Sequence, residues 1–245
     1  MNKSIPARRL YVVDDLAHEA SLNLPAEKAH YVTNVLRMRV GDRLAVFNGR
    51  DGEWQAEVAG IKKGNCGLRI VERLRPQTPD PDLWLAFAPL KRARVDWLAE
   101  KAGELGAALL WPVMTRRTNA DRVNVERLST IAIEAAQQCG RLSITSVRAP
   151  IAFDRLFNEW PSNRRLFVLD ESGGGRPLAE ALTMYIGEAA GFLIGPEGGF
   201  APEEAAHWRD AKFVTPVGLG PRLLRAETAA IAAISCWQAV AGDWR

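Results

Sequence analysis

The chain has 245 residues, 47% of them hydrophobic, and its 32 Lys and Arg side chains against 29 Asp and Glu give a net charge of +3. This composition predicts a soluble globular protein of one or two domains and excludes a disordered chain, a collagen and a small disulfide scaffold. Its apolar stretches are shorter than the roughly 18 residues of a membrane span. The first ten residues lack the apolar core of a signal peptide, so we expect a cytoplasmic protein without a membrane partner.

The three cysteines, Cys66, Cys139 and Cys236, are odd in number and widely spaced. They form neither a CxxC pair nor a zinc pattern, so we predict reduced thiols and no metal site. The charge is unevenly distributed: residues 1–80 hold 13 basic and 10 acidic side chains, whereas residues 81–245 hold 19 of each. The basic excess therefore lies in the first third of the chain.

In chain order, the first patterned region has short runs of strand composition at residues 10–13, 43–47, 53–61 and 67–74, with one helix at residues 26–37. The segment 75–82 then places three prolines and two aspartates together, which indicates a joint. We expect residues 1–75 to form a small β-barrel domain, a type that often presents RNA or ligand contacts on its loops.

After the joint, apolar strands alternate with helices, which predicts an α/β domain over residues 76–245 with helices on both faces of a parallel sheet. The pattern places strands at 83–88, 108–114, 143–147, 166–169, 191–194 and 213–217. It places helices at 95–105, 125–138, 177–184, 202–211 and 226–241.

Two glycine-rich loops follow strands of this domain. The first, IGPEGGF at residues 194–200, carries three glycines, a proline and the acid Glu197, and the second, VGLGPRLLRAET, covers residues 217–228. Neither is a GxGxxG or a P-loop motif. Because α/β proteins bind ligands at the carboxyl ends of parallel strands, the two loops predict one shared pocket.

The sequence IGPEGGF followed by LGPRLLRAETAA resembles the RsmE family, the 16S ribosomal RNA uracil-N3 methyltransferases of the SPOUT class. The segments EKAGELG at residues 100–106 and EAAQQCGR at 134–141 resemble two further family motifs, and HYVTNVLRM at 30–38 resembles the signature of its PUA-like N-terminal domain. The similarity covers nearly the whole chain. It departs from the family at Gly103, where Thr is usual, and at Gln137, where Glu is usual.

The resemblance implies a fold that periodicity does not predict, a SPOUT domain whose chain threads through a deep trefoil knot. It implies a homodimer joined through the knotted domains, and three loops that bind S-adenosylmethionine at residues 169–175, 195–199 and 217–225. Within these loops we expect contacts to the cofactor from Leu169, Gly195, Pro196, Glu197, Gly198, Gly199, Val217, Leu219, Gly220, Leu223 and Leu224. Glu197 is expected either to attract the sulfonium or to bind a ribose hydroxyl.

The implied reaction is methylation of N3 of a uridine in 16S ribosomal RNA of the small ribosomal subunit. Loss of the N3 proton leaves an anion, which a neighbouring arginine would stabilise. The candidate catalytic residues are Arg141, Arg222, Arg225 and Glu227, where Glu227 or a water is a possible base and Glu227 alternatively orients an arginine. The alternative to a catalytic role is that these arginines and Glu227 form a structural salt bridge.

The basic excess and the PUA-like signature together predict RNA contacts in the first domain, at Arg8, Arg9, Asn34, Arg37 and Arg39. Two alternatives to the main reading stay open. One is a SPOUT methyltransferase that acts on another RNA or another atom, and the other is an RNA-binding assembly factor without catalysis.

Overall fold

A computed structural model describes residues 8–62, 64–119 and 122–244. The chain divides into two compact units. Unit 1 comprises Met1–Pro79 together with Ala136–Ile144, and unit 2 comprises Asp80–Ala135 and Thr145–Arg245. The predicted division at the proline-rich joint places Ala136–Ile144 in the second domain, whereas this short segment belongs to unit 1.

Unit 1 contains one mixed sheet over an apolar core. Its strands are Arg9–Tyr11 (β1), Ser21–Leu24 (β2), Arg43–Phe47 (β3), Glu53–Lys62 (β4) and Asn65–Arg75 (β5), and its first helix is Ala26–His30 (α1). The strand order is β1-β3-β4-β5-β2, with β1 parallel to β3 and the other neighbours antiparallel. Because successive side chains of a strand point to opposite faces, Leu44, Val46, Val58, Leu68 and Ile70 share one buried cluster.

The predicted helix at residues 26–37 is shorter and changes its hydrogen bonding partway. After α1, a π-helical turn covers Tyr31–Val35, and the Leu36 amide donates to the carbonyl of Tyr31 at 2.9 Å. Arg37 then adopts φ +54°, a left-handed conformation that an L-residue with a long side chain rarely takes and that stops the helix. π-helical turns are frequently found at functional sites.

Unit 2 is built on parallel strands, and all of the strand pairs described in it are parallel. The main order is β11-β13-β10-β12-β6-β7-β8, and β9 pairs with β7. The strands are Leu83–Phe87 (β6), Leu109–Met114 (β7), Ser146–Val147 (β8), Ile151–Ala152 (β9), Arg165–Leu169 (β10), Arg176–Pro177 (β11), Ala190–Ile194 (β12) and Val214–Gly218 (β13).

Helices cover both faces of this sheet, as predicted. They are Arg92–Glu104 (α2), Val125–Cys139 (α3), Phe153–Glu159 (α4), Leu178–Leu182 (α5), Pro202–Asp210 (α6) and Ala226–Val240 (α7), and the last turn of α3 belongs to unit 1. In β6, Leu85 and Phe87 pack in a cluster with α2, α5 and α7, whereas Ala86 packs in a second cluster with α4 and Trp208 of α6. The predicted strand at 143–147 is reduced to β8, and α4 was not predicted.

The strand order positions the functional loops. Strands β13, β10 and β12 are neighbours and run in the same direction, so the residues that follow them, after Leu169, Ile194 and Gly218, meet at one edge of the sheet. The trefoil knot that the family resemblance implies stays a prediction. None of the helices in the described part of the chain has the length and apolarity to cross a membrane.

Candidate functional site

A cavity of about 690 Å³ lies at the carboxyl ends of β10, β12 and β13. Residues of all three predicted loops, 169–175, 195–199 and 217–225, contribute to its wall. The volume falls in the range of about 300–1,000 Å³ that is usual for small-molecule sites. The structure therefore brings the three loops together around one space, although they are separated in sequence.

Most of the predicted cofactor contacts line this cavity. They are Leu169, Gly195, Pro196, Glu197, Gly199, Val217, Leu219, Gly220, Leu223 and Leu224. Gly198 is not among the lining residues, and its carbonyl oxygen accepts a hydrogen bond from Nη1 of Arg117 at 2.7 Å, so a cofactor contact at Gly198 stays a prediction. The glycine at this position thus helps to hold the loop from outside the cavity.

The first loop lies directly over strand β13. A Cβ atom on Gly175 would lie 2.6 Å from the backbone carbonyl carbon of Val217, so only glycine permits this approach. At the start of the loop, the amide of Asp170 donates to the carbonyl of Val217 at 2.9 Å, and an Asp170 oxygen accepts from the Ser172 amide at 2.9 Å. These contacts fix the loop as part of the cavity wall.

The second loop turns sharply after β12. The Gly199 amide donates to the carbonyl of Pro196 at 2.9 Å, which closes a turn, and Gly199 has φ +68°. The ring of Phe200 packs against Gly195, where a Cβ atom would lie 2.9 Å from the ring. The glycines therefore permit a tight turn that keeps Glu197 at the cavity wall.

Two arginines that the sequence analysis missed hold this second loop. Arg117 binds the Gly198 carbonyl, and Nη1 of Arg94 donates to Oε1 of Glu197 at 2.7 Å. Arg94 lies in the first turn of α2, about a hundred residues before the loop. No short motif surrounds either arginine, so only the tertiary structure identifies them.

Glu227 is not among the residues that line the cavity, and its carboxylate contacts Arg94. It lies in the first turn of α7, its side chain is 14% exposed, and its Oε1 is 3.5 Å from Nε of Arg94. Its Oε2 is buried without a hydrogen-bond partner among the described residues. This position suits an orienting carboxylate better than a base that touches a bound ligand.

Arg222 and Arg225 lie in the third loop and line the cavity. Both side chains are exposed, and within the described ranges neither has a carboxylate partner. Leu223, between them, is 81% exposed, which is unusual for a large apolar side chain. The loop thus presents two cations and an apolar group beside the cavity.

Arg141 belongs to unit 1, whereas the cavity belongs to unit 2. Its carbonyl oxygen accepts a hydrogen bond from Nη2 of Arg9 at 2.7 Å. A catalytic role for the Arg141 side chain stays a prediction.

In unit 1, four of the five predicted RNA contacts are exposed: Arg8, Asn34, Arg37 and Arg39. Arg9 is not, and this corrects the prediction. Its side chain is 2% exposed, and its guanidinium binds Glu53 and three backbone carbonyls, so it is held inside the fold away from a phosphate at the surface.

Residues 8–62, 64–119 and 122–244 contain no group of three or more His, Cys, Asp or Glu side chains arranged to hold a metal ion.

Comparison with known families matches both parts of the chain. A family of RNA methyltransferase domains matches residues 77–238, and a family of RNA methyltransferase PUA domains matches residues 24–71. The first match alone covers more than half of the chain. It confirms the predicted α/β methyltransferase domain, and the second confirms the PUA-like character of the N-terminal part.

Individual relatives agree with these matches over nearly full length. Ribosomal RNA small subunit methyltransferase E of Rickettsia conorii is 32% identical, covering 93% of both chains. Among solved structures, a protein of the same name from Neisseria gonorrhoeae, bound to S-adenosylmethionine, has a TM-score of 0.87 at 25% identity, covering 97% of this chain and 99% of the other. A structure from Legionella pneumophila described as a methyltransferase, also with that cofactor, has a TM-score of 0.85 at 31% identity, covering 94% of this chain and 96% of the other. This chain belongs to the ribosomal RNA small subunit methyltransferase E family.

Proposed function

We propose that the protein transfers a methyl group from S-adenosylmethionine to N3 of a uridine in the 16S ribosomal RNA of the small ribosomal subunit. The observation that carries the proposal is the cavity in which the three loops of residues 169–175, 195–199 and 217–225 meet, with Arg222 and Arg225 in its wall. Membership of the family supports the reaction class. The relatives' names supply the ribosomal RNA of the small subunit as the substrate class.

The residues of the cavity fit the cofactor. Leu169, Ile194, Leu219 and Leu224 provide apolar walls for an adenine ring, and the glycine-rich loops let backbone groups come close to it. Glu197 adds a carboxylate for a ribose hydroxyl. When bound, S-adenosylmethionine supplies an electrophilic methyl group on a positively charged sulfur.

The chemistry of the uracil that accepts the methyl group suggests a role for the two arginines of the third loop. N3 of uracil becomes nucleophilic when it loses its proton, and the negative charge that remains spreads to the flanking carbonyl oxygens. Arg222 and Arg225 are exposed and unpaired in the described structure, so their guanidinium groups are available to stabilise that charge. Water takes the proton in this proposal, and Glu227 orients Arg94 because its carboxylate faces that side chain.

The uridine must be presented to the cavity unpaired, because N3 lies within the base pair of a duplex. In unit 1 the exposed side chains of Arg8, Asn34, Arg37 and Arg39 provide cationic and hydrogen-bonding groups for the RNA backbone. These four residues form the proposed RNA contact set. Asn34 lies within the π-helical turn and Arg37 has a left-handed backbone, and such features are often found at functional sites, which supports a functional role for this segment.

We further propose that the protein acts as a homodimer through unit 2, in the cytoplasm where ribosomal subunits are modified. The 81% exposure of Leu223 beside the cavity supports a second copy that covers this side chain. Sedimentation equilibrium measures the mass directly. A monomer at micromolar concentration would contradict the dimer without affecting the proposed reaction.

Mass spectrometry of ribosomal RNA from cells that lack the protein tests the reaction. The proposal predicts that one N3-methyluridine disappears from 16S ribosomal RNA and returns when the wild-type gene is restored. Loss of a different methylated nucleotide would instead favour a related methyltransferase with another target. An unchanged set of methylated nucleotides, with no affinity of the protein for S-adenosylmethionine, would favour a binding factor without catalysis.

A further inference from the structure

Arg94 joins two elements that the proposed reaction needs in fixed positions. Its Nη1 is 2.7 Å from Oε1 of Glu197, in the second loop, and its Nε is 3.5 Å from Oε1 of Glu227, at the start of α7. The third loop ends where α7 begins, at Arg225. One side chain on α2 therefore contacts both the second loop and the helix that follows the third loop.

The geometry leaves one oxygen of Glu197 available. Oε1 is engaged by Arg94, whereas Oε2 makes no hydrogen bond with the described residues, and the Glu197 side chain is 38% exposed at the cavity wall. When one oxygen of a carboxylate is held by a hydrogen bond, the direction of its second oxygen is fixed as well. It can then accept a hydrogen bond from a ligand hydroxyl without the entropic cost of ordering a free side chain.

We propose that Arg94 is a positioning residue for the cofactor: it holds Glu197 through Oε1 so that Oε2 accepts a hydrogen bond from a hydroxyl group of S-adenosylmethionine. The inference rests on the proposed function. It selects between the two expectations for Glu197. Because the guanidinium of Arg94 offsets the charge of Glu197, a hydrogen bond from Glu197 to a ribose hydroxyl is favoured over attraction of the sulfonium.

Glu227 anchors the other side of the Arg94 guanidinium. Its carboxylate is mostly buried and lies at the positive end of the α7 dipole, where a negative charge is stabilised. The ion pair of Arg94 with Glu197 is partly exposed, at 35% and 38%, and such pairs contribute little to the stability of the fold. The main effect of Arg94 is therefore expected on ligand binding.

Isothermal titration calorimetry of the full-length protein with S-adenosylmethionine tests this role. Arg94→Ala and Glu197→Gln are each expected to weaken binding about tenfold, the effect of losing one oriented hydrogen bond to a charged group. The double variant is expected to bind as weakly as either single variant, because both changes remove the same contact. Arg94→Lys, which keeps a cation, is expected to recover part of the affinity.

Arg127→Ala is the matched control. Arg127, on α3, pairs at 2.6 Å with Asp96, which lies on α2 as Arg94 does, and neither residue of this pair lines the cavity. This variant is expected to leave the affinity unchanged. In steady-state assays Arg94→Ala should raise KM for S-adenosylmethionine, with kcat at saturation and KM for RNA unchanged. Thermal unfolding of the variants checks the fold, and Arg94→Gln replaces Arg94→Ala if the latter unfolds.

Wild-type affinity in Arg94→Ala, or in Arg94→Gln when that variant is used, would overturn the inference. A double variant about a hundredfold weaker than wild type would also overturn it, because Arg94 would then act independently of Glu197. If the wild-type protein itself does not bind S-adenosylmethionine, the proposed function fails and the inference fails with it. The wild-type titration therefore separates the two failures.

Discussion

Nε of Arg9 lies 2.6 Å from Oε1 of Glu53, and the two side chains are 2% and 0% exposed. Arg75 binds the other oxygen of Glu53 at 2.8 Å. The remaining nitrogens of Arg9 donate to the backbone carbonyls of Ala136, Gln137 and Arg141. This buried cation therefore ties the returning segment 136–144 into unit 1, at the end of α3 where backbone carbonyls lack helical partners.

Replacing Arg9 tests this structural role. Arg9→Ala leaves Glu53 with one cation instead of two and leaves three carbonyls without their donor, so we expect a loss of about 3–5 kcal/mol in the free energy of unfolding. Chemical denaturation measures it. The neighbouring Arg8→Ala is the control, because Arg8 is exposed, and it should change stability by less than about 0.5 kcal/mol. A stable Arg9→Ala protein would contradict the role.

Arg9 also shows why part of the site was predictable and part was not. Composition and the signature around residues 30–38 correctly marked a basic PUA-like module. Arg8 and Arg9 are nevertheless adjacent in sequence, and Arg8, just before β1, is exposed, whereas Arg9, the first residue of β1, is buried. The sequence alone does not indicate which of the two arginines contacts Glu53. Burial at this position follows from a contact 44 residues away.

The loop over β13 gives a second test. Gly175→Ala places a Cβ atom within 2.6 Å of the Val217 backbone, so the loop must shift away from the cavity wall. We expect the affinity for S-adenosylmethionine to fall by more than about tenfold, measured by calorimetry. Gly60→Ala is the control, because nothing lies within 4 Å of a Cβ atom there. Equal affinities for both variants would show that this approach is unimportant for the cavity.

Variants of the third loop distinguish cofactor binding from the rate of methyl transfer. Arg222→Ala and Arg225→Ala are each expected to lower the rate of methyl transfer by about a hundredfold, the typical effect of removing one donor that stabilises developing charge. Their affinities for S-adenosylmethionine should stay within about threefold of wild type. Arg155→Ala, whose arginine pairs with Glu159 on α4, is the control. A wild-type rate would remove that arginine from the mechanism.

The RNA contact set predicts a change in salt dependence. Neutralising Arg8, Arg37 and Arg39 together should reduce the slope of log affinity against log salt by about 2, since each phosphate contact to single-stranded RNA contributes about 0.7. The control is the triple alanine variant of Arg43, Arg50 and Arg69, which has the same net charge but removes arginines already paired with carboxylates. Equal slopes for the two triple variants would contradict the assignment.

Asp51 predicts a pH dependence of stability in unit 1. Its carboxylate accepts hydrogen bonds from the Leu16 amide at 2.9 Å and from Asn48 at 2.6 Å, and these bonds lower the pKa of Asp51 below its usual value of about 3.9. A lowered pKa in the folded state adds stability that is present above about pH 4 and is lost as the pH falls through the folded-state value.

The difference in unfolding free energy between wild type and Asp51→Asn is therefore expected to be about 1 kcal/mol at pH 7 and to shrink below pH 4. Thermal melts from pH 3 to pH 7 measure it. Asp15→Asn, whose side chain is 94% exposed, is the control and should show little difference at any pH. A constant difference for Asp51→Asn would mean that the carboxylate is not stabilised in the fold.

The α/β pattern of unit 2 was predictable because each strand alternates between two apolar clusters, as Leu85 and Ala86 do. The short strand β9 and the helix α4 were not, since α4 has no side-chain N-cap and follows β9 directly. The glycines of the cavity could be identified from their loops. Arg94 and Arg117 could not, because they act across about 80 to 100 residues of sequence through tertiary contacts.

Methyl transfer by the purified protein tests the central claim most directly. Small ribosomal subunits isolated from cells lacking the protein would be incubated with it and with S-adenosylmethionine carrying a labelled methyl group, and the RNA digested for mass spectrometry. We expect label in one N3-methyluridine of 16S ribosomal RNA, with little label when Arg222→Ala replaces the wild type. Label on another atom or another RNA, or none at all with wild-type protein that binds the cofactor, would contradict it.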